Sequence, residues 1–297
     1  MRKLIYLGWW FFKAKFMGAK RPLQSVIFIS DRCNLTCKHC NVYNLADPNT
    51  KTMQEIAGEL EYCYRQGSRF VDFEGGEPFL WKDGNKNIND LIRLAKMIGF
   101  FSATVTTNAQ LPFANCIADS IWVSLDGLGS YHDEIRGKGA FKQLEKNVAA
   151  CGHKALSFNM VINSRNYPNV EETIEYAKNH PAIHAISLNF HTPYKGTEEL
   201  FLDWEIREKV IDKVIEMKRS GYPIMNSVSG LKLMKHNRFK EQCWISNFIL
   251  ADGSRLSECP GKSAGLCDKC GLCMAGEMYS VFSLKPDTVF AGIRLRM

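Results

Sequence analysis

From residue 25 onward, short β-like apolar runs alternate with longer stretches of helical spacing, as repeated β-α units require. SVIFIS (25–30), FVDFEG (70–75), FSATVTT (101–107), SIWVSLD (120–126), LSFNMVI (156–162) and AISLNF (185–190) read as strands. Between them MQEIAGELEYCYRQ (53–66), INDLIRLAKMIG (88–99) and NVEETIEYAKNH (169–180) space their apolar residues along one helix face. Six such units running one way imply a parallel sheet, buried on both faces and curled into part of a barrel. The expected fold class is therefore α/β, a partial (β/α)6 TIM-like barrel with a small cysteine-rich C-terminal extension.

The pattern breaks at both ends. Residues 1–24 hold LIYLGWWFFKAKFMGAKR, whose apolar run is too short to span a bilayer, for which about 20 apolar residues are needed. This segment reads as an amphipathic helix. Near Cys243 the helical pattern stops and glycine and cysteine become frequent. Residues 237–297 are taken as a small C-terminal region and 25–236 as the barrel.

Composition narrows the function classes. At 297 residues and 45% hydrophobic, the chain can bury a sizeable core. Its net charge is +7, and the first 21 residues carry Arg2, Lys3, Lys13, Lys15, Lys20 and Arg21 with no acid among them. The rest is nearly neutral, which argues against a nucleic-acid partner. Tryptophans beside lysines suit an interfacial helix. The segment either packs its aromatics on the main domain or touches a membrane surface or a lipid-like substrate. No signal-peptide cleavage site follows the run from Leu4 to Phe12, so the expected location is cytoplasmic, or peripheral on the inner face of the membrane through residues 1–21.

The eleven cysteines are an odd number and sit in clusters, which favours metal ligation over disulfides. Cys63, Cys116 and Cys151 fall in or beside helical segments and read as core residues. Cys33, Cys37 and Cys40, in DRCNLTCKHC, lie on the loop after the first strand, at the functional end of such a sheet. A zinc site closes with four protein ligands, and no fourth cysteine or suitably spaced histidine follows. Three thiolates on a four-iron cluster would leave one iron open to a substrate or cofactor. Further polar motifs end the later strands: GGEP (75–78), TTNA (106–109), SLDG (124–127) with Arg136 after it, and NMVIN (159–163). Met singly, each has a plain structural reading as a turn, a cap or a surface charge. Their joint occurrence at successive strand ends does not.

The CxxxCxxC spacing, with an aromatic residue before the last cysteine and these motifs in this order, resembles the radical S-adenosylmethionine (SAM) enzymes over about residues 25–195. The resemblance implies a catalytic [4Fe-4S] cluster on Cys33, Cys37 and Cys40. It implies that Gly75, Gly76 and Glu77 hold the methionine amino group of SAM, the glycines admitting the ligand and the carboxylate pairing with an ammonium. Ala109 stands where the family often has glycine, and Asn108 stays available beside it. Ser124 and Asp126 would face the ribose or carboxylate region, Arg136 would bind the methionine carboxylate, and His39 would stack near the adenine. SAM would be split reductively into methionine and a 5′-deoxyadenosyl radical, which abstracts hydrogen from, or adds to, an organic substrate. An electron donor such as flavodoxin or ferredoxin and oxygen sensitivity follow from the same resemblance.

Cys243, Cys259, Cys267, Cys270 and Cys273 remain. A hairpin turning at Asp252-Gly253 separates the first two. The set is similar to the auxiliary-cluster extensions called twitch or SPASM-like, which implies a second [4Fe-4S] cluster. Five thiols are one too many, so Cys243, Cys259, Cys270 and Cys273 are the expected ligands, with Cys267 a spare or substitute. A structural zinc ion would satisfy four thiolates equally well. His191 and Tyr194, in LNFHTPYKGTEEL (188–200), are candidates for substrate contact. The basic-aromatic segment, GGEP, SLDG and CGLCM are nearest in resemblance to hopanoid-synthesis enzymes that join the deoxyadenosyl group to an isoprenoid, so a lipid-like substrate is expected. A peptide-modifying radical SAM maturase is the alternative, although a leader-binding domain has no room before residue 25. A non-catalytic iron-sulfur carrier or scaffold would need none of the SAM motifs.

Overall fold

A computed structural model describes residues 2–40 and 47–296, with side chains as far as 293. Its described strands form a single sheet in the order β6-β5-β4-β3-β2-β1-β7-β8. These are β1 (Gln24–Phe28), β2 (Phe70–Glu74), β3 (Ser102–Thr107), β4 (Ser120–Ser124), β5 (Leu156–Ile162), β6 (Ile183–Phe190), β7 (Ser246–Ile249) and β8 (Arg255–Leu256). Every pairing is parallel except β7 with β8. The helices are α1 (Arg2–Phe16), α2 (Met53–Gln66), α3 (Ile88–Ile98), α4 (Ser130–Arg136), α5 (Ala140–Cys151), α6 (Val170–Asn179), α7 (Trp204–Arg219), α8 (Val228–Leu233), α9 (Pro260–Ser263), α10 (Met274–Phe282) and α11 (Pro286–Arg296). The mixed α/β fold with its parallel sheet is the one the strand spacing predicts.

Local chemistry sets the boundaries of the repeats. Thr52 and Glu55 form a capping box at the start of α2, and Asn87 and Asp90 do the same for α3. Such caps contribute about 1 kcal/mol each. Gly67 and Gly99 end those helices at positive φ, where a side chain would be strained.

The expectation of a sheet buried on both faces needs correction. Ile27, Val71, Phe73, Val105, Ile121 and Phe158 all join the main hydrophobic core on one face. Most residues of the opposite parity are polar, and Asp72, Glu74, Thr106, Ser124, Asn159 and Asn189 among them are only half-buried. A strand buried on both sides reads as a continuous apolar run, whereas L-S-F-N-M alternates. The second face therefore lines a polar concavity.

Both ends of the chain return to the sheet. β7 lies parallel to β1 in register Gln24 with Ser246, so the cysteine-rich region shares the sheet of the barrel. α1 turns Tyr6, Trp10 and Phe11 inward, onto Phe70, Phe101, Trp244 and Phe282 in a second small core. The Trp10 indole N–H donates to the Arg21 carbonyl at 2.9 Å, and Arg69 stacks over the Tyr6 ring. Its outward stripe, Ile5, Trp9, Phe12 and Phe16, stays exposed at 46 to 65%. α1 is thus apolar on two faces, and only one is covered.

Candidate active site

The cysteine loop is fastened at both ends. Gly76 N–H donates to the Ser30 carbonyl at 2.7 Å and Glu77 N–H to the Arg32 carbonyl at 2.8 Å. Farther on, Lys38 N–H reaches the Ile135 carbonyl of α4 at 2.9 Å. A methyl group at Gly75 would fall on the Ser30 carbonyl oxygen, and one at Gly76 on that of Arg32. The glycine pair, expected to make room for a ligand, makes room for the backbone of the cysteine loop.

Polar hydrogens point at the thiols. Cys33 Sγ accepts from Leu35 N–H at 3.4 Å and from the Asn108 side-chain amide at 3.6 Å. Arg136 Nη1 lies 3.9 Å from Cys37 Sγ. Burial pushes the Cys37 thiol up to about 11 against the pull of Arg136. Asn108 also donates to Asn34 at 2.8 Å, closing the loop over the end of β3. Cys40 is half-buried.

The predicted SAM-contact residues come together in pairs. Arg136 Nε donates to Asp126 Oδ2 at 2.6 Å, with Asp126 fully buried and Arg136 nearly so. Burial raises the Asp126 carboxyl, but Arg136, His39 and His132 together hold it below the usual range. His39 Nδ1 stands 3.7 Å from Asp126 Oδ2 and has no hydrogen-bond partner; burial lowers the His39 pKa to about 4. Its ring meets the His191 ring edge-on at 6.5 Å. Glu77, 1% exposed, accepts from Phe79 N–H, Asn108 N–H and the Thr107 hydroxyl. Its carboxylate staples the GGEP turn to the end of β3, where the sequence suggested a free partner for an ammonium. Ser124 sits half-buried on the concave face. His191 is buried and bonded to Thr197. A cavity of about 290 Å³ opens beside Asn34, Thr36, Gln110 and Arg136.

Ala109 adopts φ +56°, the conformation glycine would take, and is fully buried. Left-handed backbone costs a non-glycine residue about 1–2 kcal/mol. Loss of its buried methyl costs about 0.8 kcal/mol. Ala109→Gly is expected to leave the thermal midpoint within a few degrees of wild type, measured by calorimetry.

Glu74, on the concave face, accepts from the Thr106 hydroxyl at 3.2 Å. Burial and then Asp72 push it up to about 7. A carboxyl raised in the folded state contributes stability below its unfolded value that is lost as pH rises through the folded one. The stability of Glu74→Gln relative to wild type should therefore climb between about pH 4.5 and 7, followed by thermal melts across that range.

The C-terminal thiols lie by the segment that follows β6, where Gly271 N–H donates to the Thr192 hydroxyl at 2.9 Å. Cys243 and Cys259 are close enough to act on each other, an interaction that raises the first thiol and lowers the second to about 6. Cys243 also feels Cys270 and Cys267, whereas the described charged neighbours of Cys273 are Arg207, Glu277 and Cys270. Tyr194 lines a cavity of about 580 Å³ with Phe201, Leu266 and Lys269, in the electrostatic neighbourhood of Cys259 and Cys270. Cys63, Cys116 and Cys151 are buried in the core. Among the described residues no three His, Cys, Asp or Glu side chains converge as a single ion would require. A four-iron cluster takes each thiolate on a different iron and so sets its ligands wider apart.

Sequence reading missed Arg207. It is fully buried on α7, with Nη2 donating to the Cys270 carbonyl at 3.1 Å. The signal was there, since Arg207 opens the buried stripe continued by Ile211, Val214 and Ile215. An arginine in W-E-I-R-E-K simply looks like a surface charge.

A family model described as the radical SAM superfamily matches residues 27–177. Over 211 residues the chain is 28% identical to the probable GTP 3′,8-cyclase of Methanocella arvoryzae, covering 65% of this chain and 66% of that protein. It is 28% identical over 175 residues to the mycofactocin maturase MftC of Mycobacterium tuberculosis, covering 56% of this chain and 44% of that protein. The chain thus spans less than two thirds of the length of these curated relatives. Streptococcus suis SuiB bound to the precursor peptide SuiA is similar in fold, with a TM-score of 0.63 at 20% identity over 95% of this chain and 69% of that one.

Proposed function

The chain belongs to the radical SAM superfamily, and from that premise we propose that Cys33, Cys37 and Cys40 hold its [4Fe-4S] cluster and that the protein uses SAM to alter an organic substrate. The observation that carries this is the convergence of Asn108 and Arg136 on two of the three thiols. The donor set fits the group: three thiols on one loop, with N–H groups placed to stabilise thiolates. When bound, the cluster supplies the electron that splits SAM into methionine and a 5′-deoxyadenosyl radical. Arg136, held in one orientation by Asp126, presents its remaining donors to a carboxylate. Asn108 fixes the loop, Ser124 offers a hydroxyl on the concave side, and the neutral His39 ring gives a flat face for the adenine. His191, in edge contact with His39, borders the same space. We place the auxiliary cluster on four of the five C-terminal thiols, Cys243, Cys259, Cys267, Cys270 and Cys273, supported by the neighbourhood they share.

The polar concave face supports a substrate rich in hydrogen-bonding groups, and the maturase relative and the peptide-bound SuiB fold make a peptide the leading class. A lipid substrate or membrane contact is the second reading, favoured by the exposed stripe of α1 beside Lys3, Lys13 and Lys20. Among the described residues no helix is long and apolar enough to cross a membrane. The two readings part in one experiment. Reduced, iron-loaded protein is given SAM with either the peptide fraction or the total lipid extract of the host, and 5′-deoxyadenosine is measured. Stimulation by peptides alone is expected, and stimulation by lipids alone would overturn the peptide reading.

A further inference from the structure

We infer that Arg207 is a fixed counter-charge for the C-terminal thiolate cluster, a positioning and potential-setting residue placed before any iron is bound. The inference rests on the reading above that these cysteines carry a cluster. Arg207 is 0% exposed, yet Nε and Nη1 have no hydrogen-bond partner, and no carboxylate pairs with it among the described residues. Arg136, by contrast, has Asp126. A buried cation with no compensating anion carries a strongly unfavourable free energy. The faces of Phe190 at 4.4 Å and Trp204 at 4.8 Å return only part of that. The groups of potential negative charge around it are the thiols of Cys270 and Cys273. A four-iron cluster on four thiolates has net negative charge, and it would supply the missing partner.

The placement is built and rigid. Arg207 Nη2 and the Asn237 side-chain amide both donate to the Cys270 carbonyl, at 3.1 and 2.8 Å, and Asn237 holds φ +50° to do so. Gly271 packs so tightly on Phe190 that a methyl there would strike the Phe190 carbonyl. The turn carrying Cys270 is therefore clamped between α7 and the end of β6. A cation so fixed favours the more negative, reduced state of a neighbouring cluster, and so raises its potential.

The test uses full-length protein carrying Cys33→Ala, Cys37→Ala and Cys40→Ala, so that iron binds only at the C-terminal site. No iron in that protein would sink the auxiliary-cluster reading itself, before any Arg207 variant is compared. With iron present, Arg207→Met is expected to shift the one-electron equilibrium at least tenfold toward the oxidised form, about 59 mV, in a titration followed by electron paramagnetic resonance. Arg207→Lys should stay within about threefold of the parent. Without iron, Arg207→Met should melt no lower than the parent, because it removes an orphan charge. An unchanged potential in Arg207→Met overturns the inference. So does an iron-free Arg207→Met protein that melts clearly lower or fails to fold, since Arg207 would then serve folding alone.

Discussion

Cys37→Ala should abolish SAM cleavage and remove about four iron atoms per chain, while the C-terminal cluster keeps its own. The expectation follows from where Cys37 sits. It is buried at the centre of the loop and faces Arg136, whose guanidinium favours the thiolate form that a metal takes. Neighbouring residues cannot take its place, because the loop is held at Ser30, Arg32 and Lys38 by backbone bonds. Iron assay and 5′-deoxyadenosine measurement on the purified variant decide the matter. Full cleavage by Cys37→Ala would overturn the ligand assignment.

The second large effect is on stability. Asp126→Asn leaves Arg136 buried without its carboxylate, a loss of about 3–5 kcal/mol. For a chain of this size that lowers the thermal midpoint by about 10 °C. The same pair makes a pH statement. Asp126 is held below its ordinary value in the fold, so its contribution is present above the unfolded pKa and is lost as pH falls through the folded one. Adding Arg136→Met to Asp126→Asn should recover part of the lost stability, since no orphan guanidinium remains, while removing the donors proposed to bind the SAM carboxylate. Calorimetry of the two variants separates the structural share of the pair from its share in binding. Equal midpoints for Asp126→Asn and wild type would mean that Arg136 finds another anion.

The sequence made much of this architecture visible because each β-α unit writes its own local signal. Strand alternation, helix caps and the polar motifs at strand ends all lie within a few residues of the element they specify. What escaped depends on tertiary pairing. Four residues, S-N-F-I, do not reveal that β7 completes the sheet beside β1. The turn of the Glu77 carboxylate toward Asn108 and Thr107 depends on β3, some thirty residues on. Gly75 and Gly76 looked like a ligand cradle because the competing partner, the Ser30 to Arg32 backbone, comes from another strand end. The N-terminal segment offered a choice between packing and exposure, and the helix does both on opposite faces.

The most direct test of the central claim is electron paramagnetic resonance of the reduced, iron-loaded protein with and without SAM. A cluster on Cys33, Cys37 and Cys40 keeps one iron without a protein ligand, and its signal should change on addition of SAM. The signal of the C-terminal cluster should not. If no signal responds to SAM in protein with its full iron content, the open-iron assignment is wrong.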